Sequence, residues 1–234
     1  TTMGHLFLDA YHVTGDEYPD EDLRAHCIQY ESGESGSRDY RYIVVDARLR
    51  KALLADHLAE PLLETVKGRQ LVKSARDGKW RMLDTTADPS LVPGLVYDEA
   101  VDTFHAEEGL VPVKAGGFFG FIDISGRWRI PARFDDAAAF SEDLAPAAGE
   151  GKYGYLARDG TWAIAPAYDS VGPFTNGMAS VCKEGRYGAI DKRGCVVAET
   201  IYDKALCFRF GVAYAERHGH QVVIRSDGRV LWHE

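Results

Sequence analysis

The chain has 234 residues and a formal net charge of -9 at pH 7, with 45% hydrophobic, 11% aromatic and 27% charged residues. That length suits one large or two small domains, and the apolar share can fill a real core. So acidic a chain is repelled by phosphate backbones, which excludes nucleic acid as a general partner and favours a basic surface on another protein.

No apolar run approaches the roughly 18 residues of a membrane-spanning helix, so no membrane partner is expected. The opening segment Thr1–Leu8 has neither a basic start nor a long apolar stretch and does not read as a signal peptide. The chain starts with Thr1-Thr2 instead of methionine, which fits a processed end, so export stays compatible with an otherwise cytoplasmic reading. Cys27, Cys182, Cys195 and Cys207 contain no CxxC pair. They read as free thiols of a reducing compartment, with Cys182 and Cys195 buried. No cofactor and no catalytic set is expected.

Residues 1–69 read as a small α/β N-terminal cap or a degenerate repeat. Asp20–Cys27 could open a short helix, its carboxylates suiting a positive N-terminal dipole. Glu31–Ser37 is a flexible loop by composition, and Tyr42–Asp46 is a strand. From Leu49 to Lys67 the apolar residues Leu49, Leu53, Leu54, Leu58, Leu62 and Val66 approach helical spacing, interrupted by Pro61.

From residue 70 onward a 34-residue period governs the chain, dividing it into copies 70–108, 109–142, 143–176 and 177–210 and a partial copy 211–234. Phe119-Gly120, Tyr153-Gly154 and Tyr187-Gly188 keep that interval, as do Gly126, Gly160, Gly194 and Gly228. The pairs Phe134-Asp135, Tyr168-Asp169 and Tyr202-Asp203 keep it too, and so do Phe140, Phe174 and Phe208. A fixed period of this size marks a repeat architecture of stacked units. Copy one is longer by the loop Thr85–Gly94. With that allowance Trp80 and Tyr97-Asp98 fall into register.

Glycines recurring every five to nine residues would ruin a helix, each costing about 1 kcal/mol against alanine. They suit hairpins, where Asp-Gly accepts the positive φ of type I′ turns. Each copy therefore reads as a three-stranded antiparallel meander, and the whole as a mainly β array: an open, solenoid-like or layered stack, with a closed propeller-like ring as the alternative. Gly120, Gly154 and Gly188 lie mid-strand, which demands a close backbone approach or a packed aromatic. Arg81 and Val222 replace them in the end copies, as capping units allow.

These blocks resemble the WG repeat of bacterial proteins. The resemblance is carried by Tyr153-Gly154-Tyr155-Leu156, Gly160, Ile164-Ala165-Pro166, Tyr168-Asp169 and Phe174, and in copy two by Phe119-Gly120-Phe121-Ile122-Asp123, Gly126, Ile130-Pro131 and Phe134-Asp135. The namesake tryptophan is Phe or Tyr here, and copy four reads Val197-Ala198 where the apolar–Pro pair is expected. The resemblance implies a module for protein interactions, sometimes beside toxin–immunity or signalling modules, and implies no catalytic residues.

Columns that recur read as structure. The Tyr168-Asp169 column would close turns, and Trp128 and Trp162 would be core. Function is expected where the copies differ. Arg127, Arg129 and Arg133 of copy two replace Thr161, Ala163 and Ala167 of copy three, with Arg127 and Arg129 on the strand face opposite Trp128 and Ile130. Such a patch could grip a carboxylate or phosphate, or pair with Asp135, Asp136, Glu142 or Asp143 on a solvated face. Asp88, in the long loop of copy one, and Glu107 and Glu108, at its end, complete the candidate partner-binding set. His218-Gly219-His220 reads as a turn, not a metal site. The expected function is a non-enzymatic protein-binding module, most concretely an immunity-type protein occluding a basic toxin or effector. A glycan or ligand binder is the alternative. The third reading, a hydrolase using His12, His26 or Cys27, is the weakest.

Overall fold

The computed structural model describes residues 25–32, 39–46, 51–52, 58–66, 69–74, 77–84, 90–101 and 109–233. Every regular element among them is a strand. The first sheet is antiparallel and holds β1 (Ala25–Ser32), β2 (Asp39–Asp46), β3 (Lys51–Ala52), β4 (Leu58–Val66), β5 (Arg69–Ser74), β6 (Trp80–Asp84) and β7 (Ser90–Tyr97). Its order is β1-β2-β4-β5-β6-β7, with β3 beside β2. The strand expected at Tyr42–Asp46 lies in β2.

Three expectations fail in this sheet. The helix foreseen within Leu49–Lys67 is replaced, where residues are described, by β3 and β4. Leu58, Leu62 and Val66 are four apart, a spacing that fits one helical face and, being even, one strand face equally. Pro61 breaks the tie because it lacks the N–H a helix interior needs. Of the loop Thr85–Gly94, the last five residues belong to β7 and the rest lie outside the described residues. Ala25–Cys27, assigned to a short helix, begin β1.

The second sheet comprises β8 (Glu99–Ala100), β9 (Leu110–Ala115), β10 (Phe118–Asp123) and β11 (Trp128–Phe134). The third comprises β12 (Asp136–Ala137), β13 (Ala145–Gly149), β14 (Lys152–Leu156) and β15 (Trp162–Tyr168). The fourth comprises β16 (Ser170–Val171), β17 (Met178–Lys183), β18 (Arg186–Asp191) and β19 (Val196–Tyr202). The fifth comprises β20 (Phe208–Arg209), β21 (Val212–Arg217), β22 (His220–Arg225) and β23 (Val230–His233). Each expected meander is present, and those of the second to fifth sheets each gain a two-residue fourth strand from the tail of the preceding copy, whereas that of copy one lies beside β4. Asp136–Ala137, for example, ends copy two in sequence but pairs with Ala147 and Ala148 of copy three. The donated strand locks each of these four sheets to its predecessor.

The type I′ turns sit one hairpin earlier than the Asp-Gly pairs suggested. At Glu150-Gly151 both φ angles are positive, 54° and 75°, and Gly116-Gly117, Glu184-Gly185 and His218-Gly219 repeat the pattern. His218-Gly219 is thus the expected turn. Asp159-Gly160 closes differently: Gly160 N–H donates to the Ala157 carbonyl and Ala157 N–H to the Thr161 carbonyl, both at 2.9 Å. Gly160 follows the turn as its single left-handed residue.

The mid-strand glycines answer to close backbone approach. Tyr153 pairs with Tyr168 and Tyr155 with Ile164, so β15 bulges opposite Gly154. A Cβ on Gly154 would lie 2.4 Å from the Ile164 carbonyl oxygen and 2.8 Å from the Pro166 nitrogen. Pro166 is tolerated there because a bulge needs no ladder N–H from it. Gly120 and Gly188 face the same obstruction at 2.6 and 2.5 Å.

The core is partitioned between successive sheets. Phe119, Phe121, Ile130 and Phe134 of the second sheet close on Ala145, Ala147 and Leu156 of the third, with Phe140 wedged among them. Leu144 and Tyr155 meet Phe174, Val181 and Ile190 across the next interface, and Ala198 and Tyr202 meet Phe208, Ala215 and Ile224 across the last. The rings of Phe121 and Phe140 are 5.0 Å apart and those of Tyr155 and Phe174 4.6 Å. The periodic phenylalanine is therefore the wedge that joins one unit to the next.

Candidate interaction surface

Three carboxylates of the aromatic–Asp column reach to the hairpin turn of the following copy. Asp98 accepts the Gly116 N–H at 2.9 Å and the Lys79 ammonium at 2.6 Å. Asp169 accepts the Glu184 N–H at 2.6 Å and pairs with Lys152. Asp203 accepts the Gly219 N–H at 3.2 Å and pairs with Arg186. The cation always comes from the start of the second strand in the same copy as the aspartate. The ammonium of Lys79 and the Gly116 amide hold the Asp98 carboxyl below its ordinary range, and Lys152 with the Glu184 amide does so for Asp169. The turn-closing role expected of this column is what these three show.

Copy two breaks the pattern. The column of Lys79, Lys152 and Arg186 holds Phe118, whose side chain is 47% exposed. Asp135 is exposed, and among the described residues its carboxylate has neither a hydrogen bond nor an ion pair. It borders an open groove of about 670 Å³, lined also by Arg133, Glu150, Lys152, Trp162 and Pro166.

A second ladder runs through aromatic rings and turn glycines. Tyr97 is buried, donates its hydroxyl to the Gly126 carbonyl at 2.7 Å, and meets the edge of Trp128 with centroids 5.8 Å apart. Phe134 meets Trp162 the same way at 5.6 Å. Phe134 has no hydroxyl, and the Gly160 carbonyl is instead bonded by the Arg133 guanidinium at 2.8 Å. The tryptophans are thus ledges across the interfaces: Trp162 packs on the core as expected, and Trp128 does not enter it. Trp162 is half-buried, and Trp128, with the edge of the Tyr97 ring against it, is 39% exposed.

The family described as WG containing repeat matches residues 119–153 and again 153–187. Residues 119–187 are therefore similar to two WG repeats in tandem. No curated protein matches the chain. Among solved structures, Kluyveromyces lactis Hsv2 is similar at 10% identity, covering 81% of this chain and 68% of that one with a TM-score of 0.46. Kluyvelomyces marxianus Hsv2 is similar at 8% identity, over 76% and 62%, at 0.43. Dihydro-heme d1 dehydrogenase NirN in complex with DHE is similar at 14% identity, over 91% and 54%, at 0.46.

The WG repeats place the arginines of copy two apart. Arg129 lines a groove of about 810 Å³ with Leu110, Asp123, Trp128, Arg158 and Asp159. Arg133 lines the Asp135 groove and lies over the Phe134 ring at 5.1 Å. Arg127 borders neither groove as described; its backbone N–H caps the turn through Asp123 at 3.1 Å. The ion pairs anticipated for these arginines form elsewhere. Asp136 accepts the Tyr153 hydroxyl at 2.6 Å, Glu142 the Gly177 N–H at 2.9 Å, and Asp143 pairs with Arg158 at 2.9 Å. Partial burial would raise the Asp123 carboxyl, but hydrogen bonds from Ser125 and the Arg127 amide, with the charge of Arg129, outweigh it and lower it.

Asp88, Glu107 and Glu108 lie outside the described residues, as does His12; of His26 and Cys27 the backbone alone is described. Cys182 is buried as expected, whereas Cys195 is exposed because it sits in the turn before β19. Sequence reasoning missed Phe118 and Asp135. The signal for them was present: one column reads Lys79, Phe118, Lys152, Arg186, and only copy two lacks the cation.

Proposed function

We propose that this chain is a non-enzymatic protein-binding module, in its most specific form an immunity-type protein that occludes a basic toxin or effector. WG repeats in a β-array point to protein interaction. One observation carries the finer reading: the recurring side chains are consumed in wedges, ledges and clasps between units, and copy two departs from that pattern at the grooves that flank it, which we take as the partner surface. A net charge of -9 favours a basic partner, since opposite potentials accelerate encounter. We place its action in the cytoplasm, where the exposed thiols of Cys195 and Cys207 stay reduced. Affinity capture from the native host, followed by reconstitution with the recovered protein, tests this. A basic protein bound at one-to-one stoichiometry and neutralised by the chain supports it; recovery of no protein partner sinks it.

A glycan- or ligand-binding reading is favoured by one feature. The exposed Trp128 ring, flanked by Asp123, Arg129 and Asp159, is a platform on which a sugar ring could stack. A ligand-induced rise in melting temperature that disappears in Trp128→Ala would support it.

A further inference from the structure

Three carboxylates of the repeat column each hold a cation, and the fourth does not. Lys79 reaches Asp98, Lys152 reaches Asp169 and Arg186 reaches Asp203, while the equivalent of those cations in copy two is Phe118. An aspartate in this setting binds an ammonium or a guanidinium wherever one is supplied, on the testimony of its own repeats. At Asp135 the chain supplies none: the cation's position holds the exposed Phe118, one residue before the Phe119 that pairs with Phe134.

The surroundings narrow what could fill the place. The groove at Asp135 carries the half-buried Trp162 ring and Pro166 as its apolar wall and Glu150 as a second carboxylate. Its two cations are engaged elsewhere: Arg133 bonds the Gly160 carbonyl, and Lys152 pairs with Asp169. A guanidinium suits this combination better than an ammonium, because its planar fork binds a carboxylate with two N–H groups while its face lies on an aromatic ring.

We propose that the open clasp at Asp135 is the docking site for an arginine side chain of a protein partner, with Asp135 as its counter-ion and Trp162 and Pro166 as its apolar wall. The inference rests on the protein-binding reading above and names the chemistry of that partner. The arginine completes in trans the clasp that Lys79, Lys152 and Arg186 complete within the chain.

The test uses the full chain and a minimal probe, Nα-acetyl-arginine methylamide, with the citrulline analogue as its neutral isostere. The expected result is a saturable shift of the Trp162 indole N–H and the Glu150 amide signals with arginine, at least about fivefold weaker with citrulline. Asp135→Asn, nearly isosteric, abolishes the response. Phe118→Lys abolishes it too, by closing the clasp internally, and melts no lower than the parent chain. Equal responses to the two probes, no response to either, or shifts that persist in Asp135→Asn overturn the proposal. If Phe118→Lys does not fold, the Asp135→Asn result decides alone. A native partner bound equally by the parent chain and Asp135→Asn overturns this inference and leaves the binding function standing. An intact arginine response without any protein partner does the reverse.

Discussion

The Arg133 guanidinium donates to the Gly160 carbonyl at 2.8 Å, and by doing so it performs in copy two what the Tyr97 hydroxyl performs in copy one at Gly126, 2.7 Å away. In both places an aromatic ring stands edge-on to the tryptophan of the following copy, and in both the carbonyl of a left-handed glycine needs a donor. Tyrosine carries ring and donor together. Where the ring is Phe134, the preceding residue supplies the donor. A basic residue that looked like part of a binding patch is in this respect a substitute for a hydroxyl.

This equivalence predicts compensation. Arg133→Ala should cost about 1 kcal/mol, below the usual range for a bond to a charged donor because the guanidinium is partly solvated. Phe134→Tyr in that background should recover most of it, since the Phe134–Trp162 geometry matches that of Tyr97–Trp128. Denaturant midpoints of the two single variants and the double variant measure the coupling. Strict additivity would show that the two donors are not interchangeable.

Gly154 and Gly151 provide a contrast between two reasons for glycine. Gly151 has φ of 75° with open space around its missing side chain, so Gly151→Ala should cost about 1 kcal/mol of backbone strain. A Cβ on Gly154 would stand 2.4 Å from the Ile164 carbonyl, in backbone that cannot yield without breaking the bulge. Gly154→Ala should lose more than about 3 kcal/mol, among the larger single-residue effects. Thermal melts of the two variants side by side read the difference directly.

The meanders were legible in the sequence because their punctuation is local: a glycine at each hairpin, an aromatic and an aspartate at each strand end. The donated strands were not. Asp136–Ala137 is two residues long, too short for any period, and only pairing with Ala147 and Ala148 makes it a strand. Trp128 misled for a related reason. Composition says that an indole seeks cover, but not that Trp128 would meet the ring of Tyr97 across an interface and stay 39% exposed. The clasp at Asp135 was written in one column as Phe118 among Lys79, Lys152 and Arg186. Its meaning depends on knowing that those cations reach the aspartates, which is a fact of three dimensions.

The filled clasps make stability depend on acid. Asp98 and Asp169 have folded carboxyls lowered by Lys79 and Lys152 and by backbone amides. A lowered folded value stabilises above the unfolded value of about 4 and is lost as pH falls from there through the folded values. The melting temperature should therefore decline below about pH 4, and Asp169→Asn should decline less steeply over that window. Salt should flatten both curves at the higher end of the window, because the pairs are exposed.

At the alkaline end the buried ring of Tyr97 sets the limit. Burial pushes its hydroxyl up to about 12, with the charge of Asp123 adding to the effect, against about 10 when unfolded. A raised folded value means that the neutral phenol's contribution is complete below about pH 10 and is lost as pH rises toward 12. Tyr97→Phe removes the titration and the bond to Gly126 together. That variant should be less stable at neutral pH by about 1 kcal/mol. Its stability should then fall less than the parent's between those two values, so the curves converge. Parallel curves would mean that some other group governs the alkaline loss, since Tyr153 is raised to a similar value by its bond to Asp136. Tyr153→Phe in the same titration separates the two tyrosines.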